Sequence, residues 1–191
     1  MKRIILASQS PRRKQLMEMA EFEFDVIVAD VDETNPPGMR GELVPGFLAC
    51  KKAHAIKHLA GGAIILAADT VVLLDYHILG KPSDSVHAKE ILRQLSGRMH
   101  TVVTGVCILY EDKEICFSTV TEVFFRTLSE SQIAHYVTKY KPFDKAGAYA
   151  IQEWIGVTGI EKINGDYYNV MGLPIGEVII ALRNIGVTAV K

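Results

Sequence analysis

The sequence is short of cysteine, of long apolar runs and of net charge, and each shortage excludes something. Its three cysteines, Cys50, Cys107 and Cys116, are odd in number and carry no CxxC spacing. No disulfide framework is expected; they read as buried or incidental thiols in a reducing cytoplasm. No run reaches the roughly 18 apolar residues that read as a membrane span, so no membrane partner is expected. The apolar run Ile4-Ile5-Leu6-Ala7, behind a basic pair, is too short for a signal peptide. A formal net charge of −1 lends no support to extended nucleic-acid binding, although a small anion needs only a local cationic pocket. There is no GxxxxGK[ST] run, which disfavours cleavage at a γ-phosphate, and no GxGxxG run, which disfavours a dinucleotide cofactor. No internal repeat, low-complexity tract or interdomain linker is visible.

What is present suffices for one core. The chain has 191 residues, 49% of them hydrophobic. One domain over residues 1–191 is expected, an α/β fold with two lobes around a central cleft. The first strand-turn-helix organises it. Ile4–Ala7 reads as a buried strand. Ser10 reads as a helix N-cap with Pro11 at the first helical position. Arg12 and Arg13 follow in the first turn, the wrong sign for a helix start that is already positive. An anion bound there would account for them, held by backbone N–H groups, hydroxyls and guanidiniums; a solvated helix start is the alternative.

Further along, Phe22–Val28 reads as a second strand, with Asp30, Asp32 and Glu33 at its end. These carboxylates fit either a solvated turn or a share in a divalent-cation site. Leu43–Leu59 reads as a helix. Its adjacent Lys51 and Lys52 point about 100° apart, so at most one faces a cleft. Ile64–Ala68 is a strand buried on both faces, terminated by Asp69-Thr70. A carboxylate at the end of a central strand is a favoured place for chemistry. In Gly80-Lys81-Pro82 the glycine permits a tight turn and the proline stiffens it around Lys81.

Ser83-Asp84 caps a helix over Ser85–Leu95, and His100–Tyr110 with Ile115–Phe125 reads as a hairpin. His100 has no second histidine or cysteine spaced with it, so no zinc site is expected there. Ser129-Glu130-Ser131-Gln132 opens a further helix. Asp144–Gln152 reads as a loop, Asn164-Gly165-Asp166 as a tight turn, Tyr167–Met171 as a short strand and Ile175–Ile185 as the last helix.

Several of these runs carry a resemblance. Ser8-Gln9-Ser10-Pro11-Arg12-Arg13 behind an apolar strand resembles the signature of the Maf family, nucleoside triphosphate pyrophosphatases with a fold similar to that of inosine triphosphatase. Ala68-Asp69-Thr70, Gly80-Lys81-Pro82, the run Asp144–Gln152 and the last helix match as well, so the resemblance covers essentially the whole chain. It implies a mixed twisted sheet with flanking helices. It implies that Asp69 is catalytic, that Lys52 and Lys81 reach the triphosphate, and that Arg12, Thr70 and Gln152 select the base. The Asp144–Gln152 run is similar to that of the branch preferring dTTP and UTP, and unlike that of the sibling preferring 7-methyl-GTP. One departure is Ala150, where glycine is commoner. A homodimer is also implied.

The chemistry can be set beside this. Cleaving the α–β bond of a nucleoside triphosphate requires positive charge, a divalent cation such as magnesium or manganese, and an activated water. Ser8, Arg12, Arg13, Lys52, Lys81 and, as an additional cation, Lys145 supply donors and cations; Glu33 and Asp69 supply carboxylates for metal binding, and Asp69 can alternatively accept a proton. The products would be a monophosphate and pyrophosphate. The alternatives are a nucleotide-binding regulatory module in septum formation or division arrest, and hydrolysis of another noncanonical nucleotide.

Overall fold

The first strand, β1 (Ile4–Leu6), is completely surrounded: it pairs in parallel with β2 (Asp25–Val26) on one side and with β3 (Ile64–Leu74) on the other. These contacts come from a computed structural model that describes residues 2–189. The remaining strands are β4 (His77–Leu79), β5 (Met99–Tyr110), β6 (Lys113–Phe125) and β7 (Ile160–Asn164). Together they form a mixed seven-stranded sheet in the order β2-β1-β3-β5-β6-β7, with β4 also on β3. The pairing is parallel from β2 to β3 and antiparallel from β3 onward.

The helices are α1 (Pro11–Met19), α2 (Val44–Ala55), α3 (Ser85–Leu95), α4 (Glu130–Tyr140), α5 (Trp154–Gly159), α6 (Tyr167–Met171) and α7 (Ile175–Asn184). Side chains alternate across β3, and the two faces have different partners. Leu66, Ala68 and Val72 face a large core shared with α1, α3, α4, α6 and α7. Ile65 and Ala67, then Val71 and Leu73, face α2 through Ala49, Ala53, Val44 and Leu48.

The approach of α2 to the sheet depends on one glycine, Gly105. A Cβ on Gly105 of β5 would stand 2.2 Å from the backbone nitrogen of Gly46. Only hydrogen at that position lets the first turn of α2 lie flat on β5. Gly105 is in register with Asp69, so the same contact sets the height of α2 over that residue.

Local capping behaves as the sequence predicts. The Ser10 hydroxyl accepts from Arg13 N–H, Asp84 accepts from Val86 and His87 N–H, and Ser129 with Gln132 forms a capping box. Several boundaries differ. The second strand shrinks to Asp25–Val26, because β1 offers it little length to pair with. The long helix stops at Ala55 and continues as a short 3₁₀ turn over Lys57–Leu59. Tyr167–Met171 is helix, not strand: Asp166 caps its start through Tyr168 N–H, and Gly172 ends it at φ 118°. Two local caps override the β preference of Tyr and Val. β4 escapes the sequence reading because its turn, Asp75-Tyr76, takes φ values of 48° and 68° without a glycine to announce it. α5 and β7 likewise stand where the sequence offers no clear pattern.

Candidate active site

Asp69 is not the end of a strand. β3 continues five residues further, to Leu74. What ends is its neighbour. The last residue of β3 paired with β1 is Leu66, and the first paired with β4 is Val72. Between them the edge of β3 lies open. There consecutive side chains, one from each face of the strand, can reach the same space. The parallel strand that ends beside Asp69 is β1.

A cleft of about 770 Å³ occupies this gap. Ser8, Arg12, Arg13, Glu33, Lys52, Asp69, Thr70, Lys81 and Gln152 all line it, although they come from six separate stretches of chain. Asp69 points to the α2 side. Its Oδ1 lies 2.5 Å from Lys52 Nζ, which also reaches Glu33 Oε1 at 2.7 Å. One ammonium thus sits between two carboxylates. The hydrogen bond from Lys52 holds the Glu33 carboxyl below its usual range. The neighbouring Lys51 turns outward to Asp32 at 3.5 Å, as the 100° divergence requires.

Thr70 points to the other side, where Arg13 is anchored. Arg13 donates from Nη1 to Ser8 Oγ at 3.0 Å, from Nη2 to Thr70 Oγ1 at 3.0 Å, and from Nε to Gly172 O at 2.7 Å. Burial pulls its pKa down, against the pull of Asp69 and Glu33. Arg12 donates from Nε to Met171 O at 3.2 Å and lies 3.9 Å from Asp144. Both arginines therefore rest on carbonyls at the C-terminal end of α6, whose dipole is negative there. This accounts for part of their unusual placement. The three bonds of Arg13 use three of its five N–H donors.

Lys81 is exposed on the opposite rim. Its loop is not stiffened by a glycine in a left-handed conformation, since Gly80 has none. Gly147 N–H donates to Gly80 O at 3.2 Å, and Pro82 is buried behind it. Gln152 is exposed at the far side of the cleft. Lys145, the additional cation named from the sequence, does not line the cleft: its ammonium is buried between Asp144, at 2.8 Å, and Glu153, at 3.6 Å. Ala150 stays outside the left-handed region, so its methyl group brings no backbone strain, and its N–H donates to Tyr136 Oη at 3.2 Å.

Sequence reasoning missed the polar layer beneath Thr70. Thr104, fully buried on β5, shares a hydrogen bond of 2.9 Å with Thr70 and donates to Asn169 O at 3.1 Å. Asn169, also fully buried, donates to Val102 O and Thr121 Oγ1. This layer ties α6 and Gly172, and with them both arginines, to the sheet. The only trace in the sequence is a threonine inside an otherwise apolar stretch of β5.

Comparison with known proteins gives a consistent result. The family described as Maf-like protein matches residues 3–185. A protein of Cytophaga hutchinsonii named dTTP/UTP pyrophosphatase is 50% identical over 92% of this chain and 81% of its own length. One of Bacteroides fragilis with the same name is 45% identical over 96% of both chains. Among solved structures, the Staphylococcus aureus Ham1 protein aligns with a TM-score of 0.48 at 17% identity, over 65% of this chain and 72% of that one.

Proposed function

This chain belongs to the Maf family, and from that membership and the cleft we propose that it hydrolyses dTTP and UTP to the nucleoside monophosphate and pyrophosphate. The observation that carries the reading is the Glu33–Lys52–Asp69 array at the open edge of β3, facing Arg12, Arg13 and Lys81 across one cleft.

A triphosphate entering the cleft competes with Glu33 and Asp69 for the Lys52 ammonium. Lys52 turns to the phosphate oxygens, and Lys81 and Arg13 hold the rest of the chain. The two carboxylates are then released from their shared cation. As hard oxygen donors from separate segments they fit a divalent ion such as magnesium or manganese, which takes one or two carboxylates and completes its shell with phosphate and water. Held by Glu33 and Asp69, such an ion would supply neutralisation of charge at the scissile bond and activation of a water. Asp69 serves the attacking water, as ligand of that ion or as acceptor of the proton; both roles need its negative charge. Gln152, with an amide donor and a carbonyl acceptor, suits the paired acceptor and donor on a pyrimidine edge, and Thr70 and Arg12 border the same space.

The test is pyrophosphate release from a panel of dTTP, UTP, ATP, GTP and 7-methyl-GTP with magnesium or manganese. Turnover of dTTP and UTP with little from the purines is expected, and Gln152→Ala should flatten that preference more than it slows the best substrate. Release of orthophosphate with a diphosphate product overturns the assigned bond; dominant 7-methyl-GTP turnover overturns the assigned base class.

A further inference from the structure

The three cysteines, scattered in the sequence, meet in space. Cys50 is on α2, Cys107 on β5 and Cys116 on β6. Cys107 and Cys116 are direct cross-strand partners, and α2 lays Cys50 over them, with Cys50 Sγ 3.0 Å from Cys116 Sγ. Two further ligand-type side chains join by ordinary periodicity. Glu114 lies two residues before Cys116 on the same face of β6, and His54 lies four residues after Cys50 on the same face of α2. Glu114 Oε1 is 3.5 Å from Cys116 Sγ, and its Oε2 is 3.1 Å from His54 Nε2. The ligand atoms of Cys50, Cys107, Glu114 and Cys116 all lie within 4.8 Å of one another. None of these residues lines the cleft that holds Asp69.

We propose that Cys50, Cys107, Cys116 and Glu114 bind one thiophilic divalent cation of the zinc class, with His54 orienting the Glu114 carboxylate. A tetrahedral site with Zn–S bonds of about 2.3 Å sets its sulfurs about 3.8 Å apart, between the 3.0 Å of the Cys50–Cys116 pair and the 4.8 Å that bounds the cluster. The donor set selects the ion: thiolates favour zinc over magnesium or calcium. A histidine that holds the outer oxygen of a ligating carboxylate is a recurrent support for such sites. A disulfide would use two of the thiols and leave the third, the carboxylate and the imidazole without a role. Cys107 is buried, while Cys116 and Glu114 are exposed, so the cluster has a floor and an open side for entry. Each ligating thiol gives up its proton to solvent. The bound ion would tie α2, which carries Lys52, to the β5–β6 hairpin.

The experiment uses the reduced full chain, stripped with a chelator and titrated with Zn²⁺ in excess Mg²⁺, with Co²⁺ as a spectroscopic probe. One Zn²⁺ per chain is expected, together with a sulfur-to-cobalt charge-transfer band and a higher melting temperature on loading. Cys116→Ser should weaken binding at least tenfold and, at saturating cobalt, lower the band by about a third, while its magnesium-dependent turnover stays within about twofold of wild type. Glu114→Gln should weaken binding and keep the band. If the reduced chain takes up no Zn²⁺ while its thiols remain titratable, the proposal fails. It also fails if uptake is unchanged in Cys116→Ser, because the ion then lies elsewhere. The result is independent of which nucleotide the cleft accepts.

Discussion

Lys52 Nζ donates to Asp69 Oδ1 at 2.5 Å, across the gap that β1 leaves on the edge of β3. The same ammonium reaches Glu33 at 2.7 Å. Two carboxylates are thus kept together by one cation, whose hydrogen bond holds Glu33 below its usual range.

Asp69→Asn is expected to reduce turnover by about 10²–10⁴-fold, the range for loss of a positioned proton acceptor. Asparagine keeps the size but not the charge, and Lys52, Arg13 and Lys81 remain to hold the triphosphate. The check pairs pyrophosphate release with calorimetry on a non-hydrolysable dTTP analogue. Turnover within a few-fold of wild type would remove Asp69 from the chemistry and make Glu33 the leading carboxylate.

Lys52→Ala should lower kcat/KM about ten- to a hundredfold, from the loss of a charge-assisted contact. It should also move the acid limb of the pH–rate profile upward. Glu33 is held low chiefly by its hydrogen bond to Lys52, so without that lysine it protonates at higher pH. An acid limb that stays in place would separate Glu33 from the rate.

Arg13→Ala and Lys81→Ala should both weaken kcat/KM, but only the first should destabilise the fold. Arg13 bonds Ser8, Thr70 and Gly172, joining three segments, whereas Lys81 is exposed on a loop. Hydrogen bonds from a charged donor contribute about 1.5–3 kcal/mol each, so a clear fall in the urea midpoint is expected for Arg13→Ala alone. Equal stability of the two variants would show that the Arg13 bonds are not a brace.

His100 supplies a pH signature of stability. It is buried against Phe125 and Tyr149, its Nε2 is 2.7 Å from Tyr149 Oη, and burial depresses its pKa from 6.5 to about 3. Below pH 6.5 the unfolded chain therefore binds a proton that the folded chain refuses. Stability should fall by up to about 1.4 kcal/mol per pH unit as pH drops below that value. The carboxylates held low, such as Glu33 and Asp144, add their own loss only at more acid pH. Urea midpoints between pH 7 and 5 should show this slope in the wild type and a shallower one in His100→Asn. Identical slopes would assign the acid sensitivity to other groups.

The sequence by itself determined what neighbouring residues decide among themselves. Ser10, Asp84 and Ser129 cap their helices because each oxygen needs only N–H groups two or three residues away. The hairpin of β5 and β6 forms as read, with Glu111-Asp112 at its turn. Of the candidate residues, Arg12, Arg13 and Asp69 stood out by charge beside a helix start or an apolar run, whereas Lys52, Lys81, Thr70 and Gln152 were singled out by the family resemblance. The tertiary structure decided where they meet. That Asp69 lies in mid-strand, beside an edge opened by the end of β1, depends on sheet order and register. That Lys145 is neutralised by Asp144 and Glu153 while Lys81 is left exposed depends on loops packed from distant parts of the chain. The convergence of Cys50, Cys107 and Cys116 depends on α2 lying across β5 and β6, which Gly105 permits. Capping and hairpin turns act over a few residues and leave a local pattern. Contacts between elements separated by tens of residues are set by which strands pair and which faces they bury, and no short stretch of sequence carries that information.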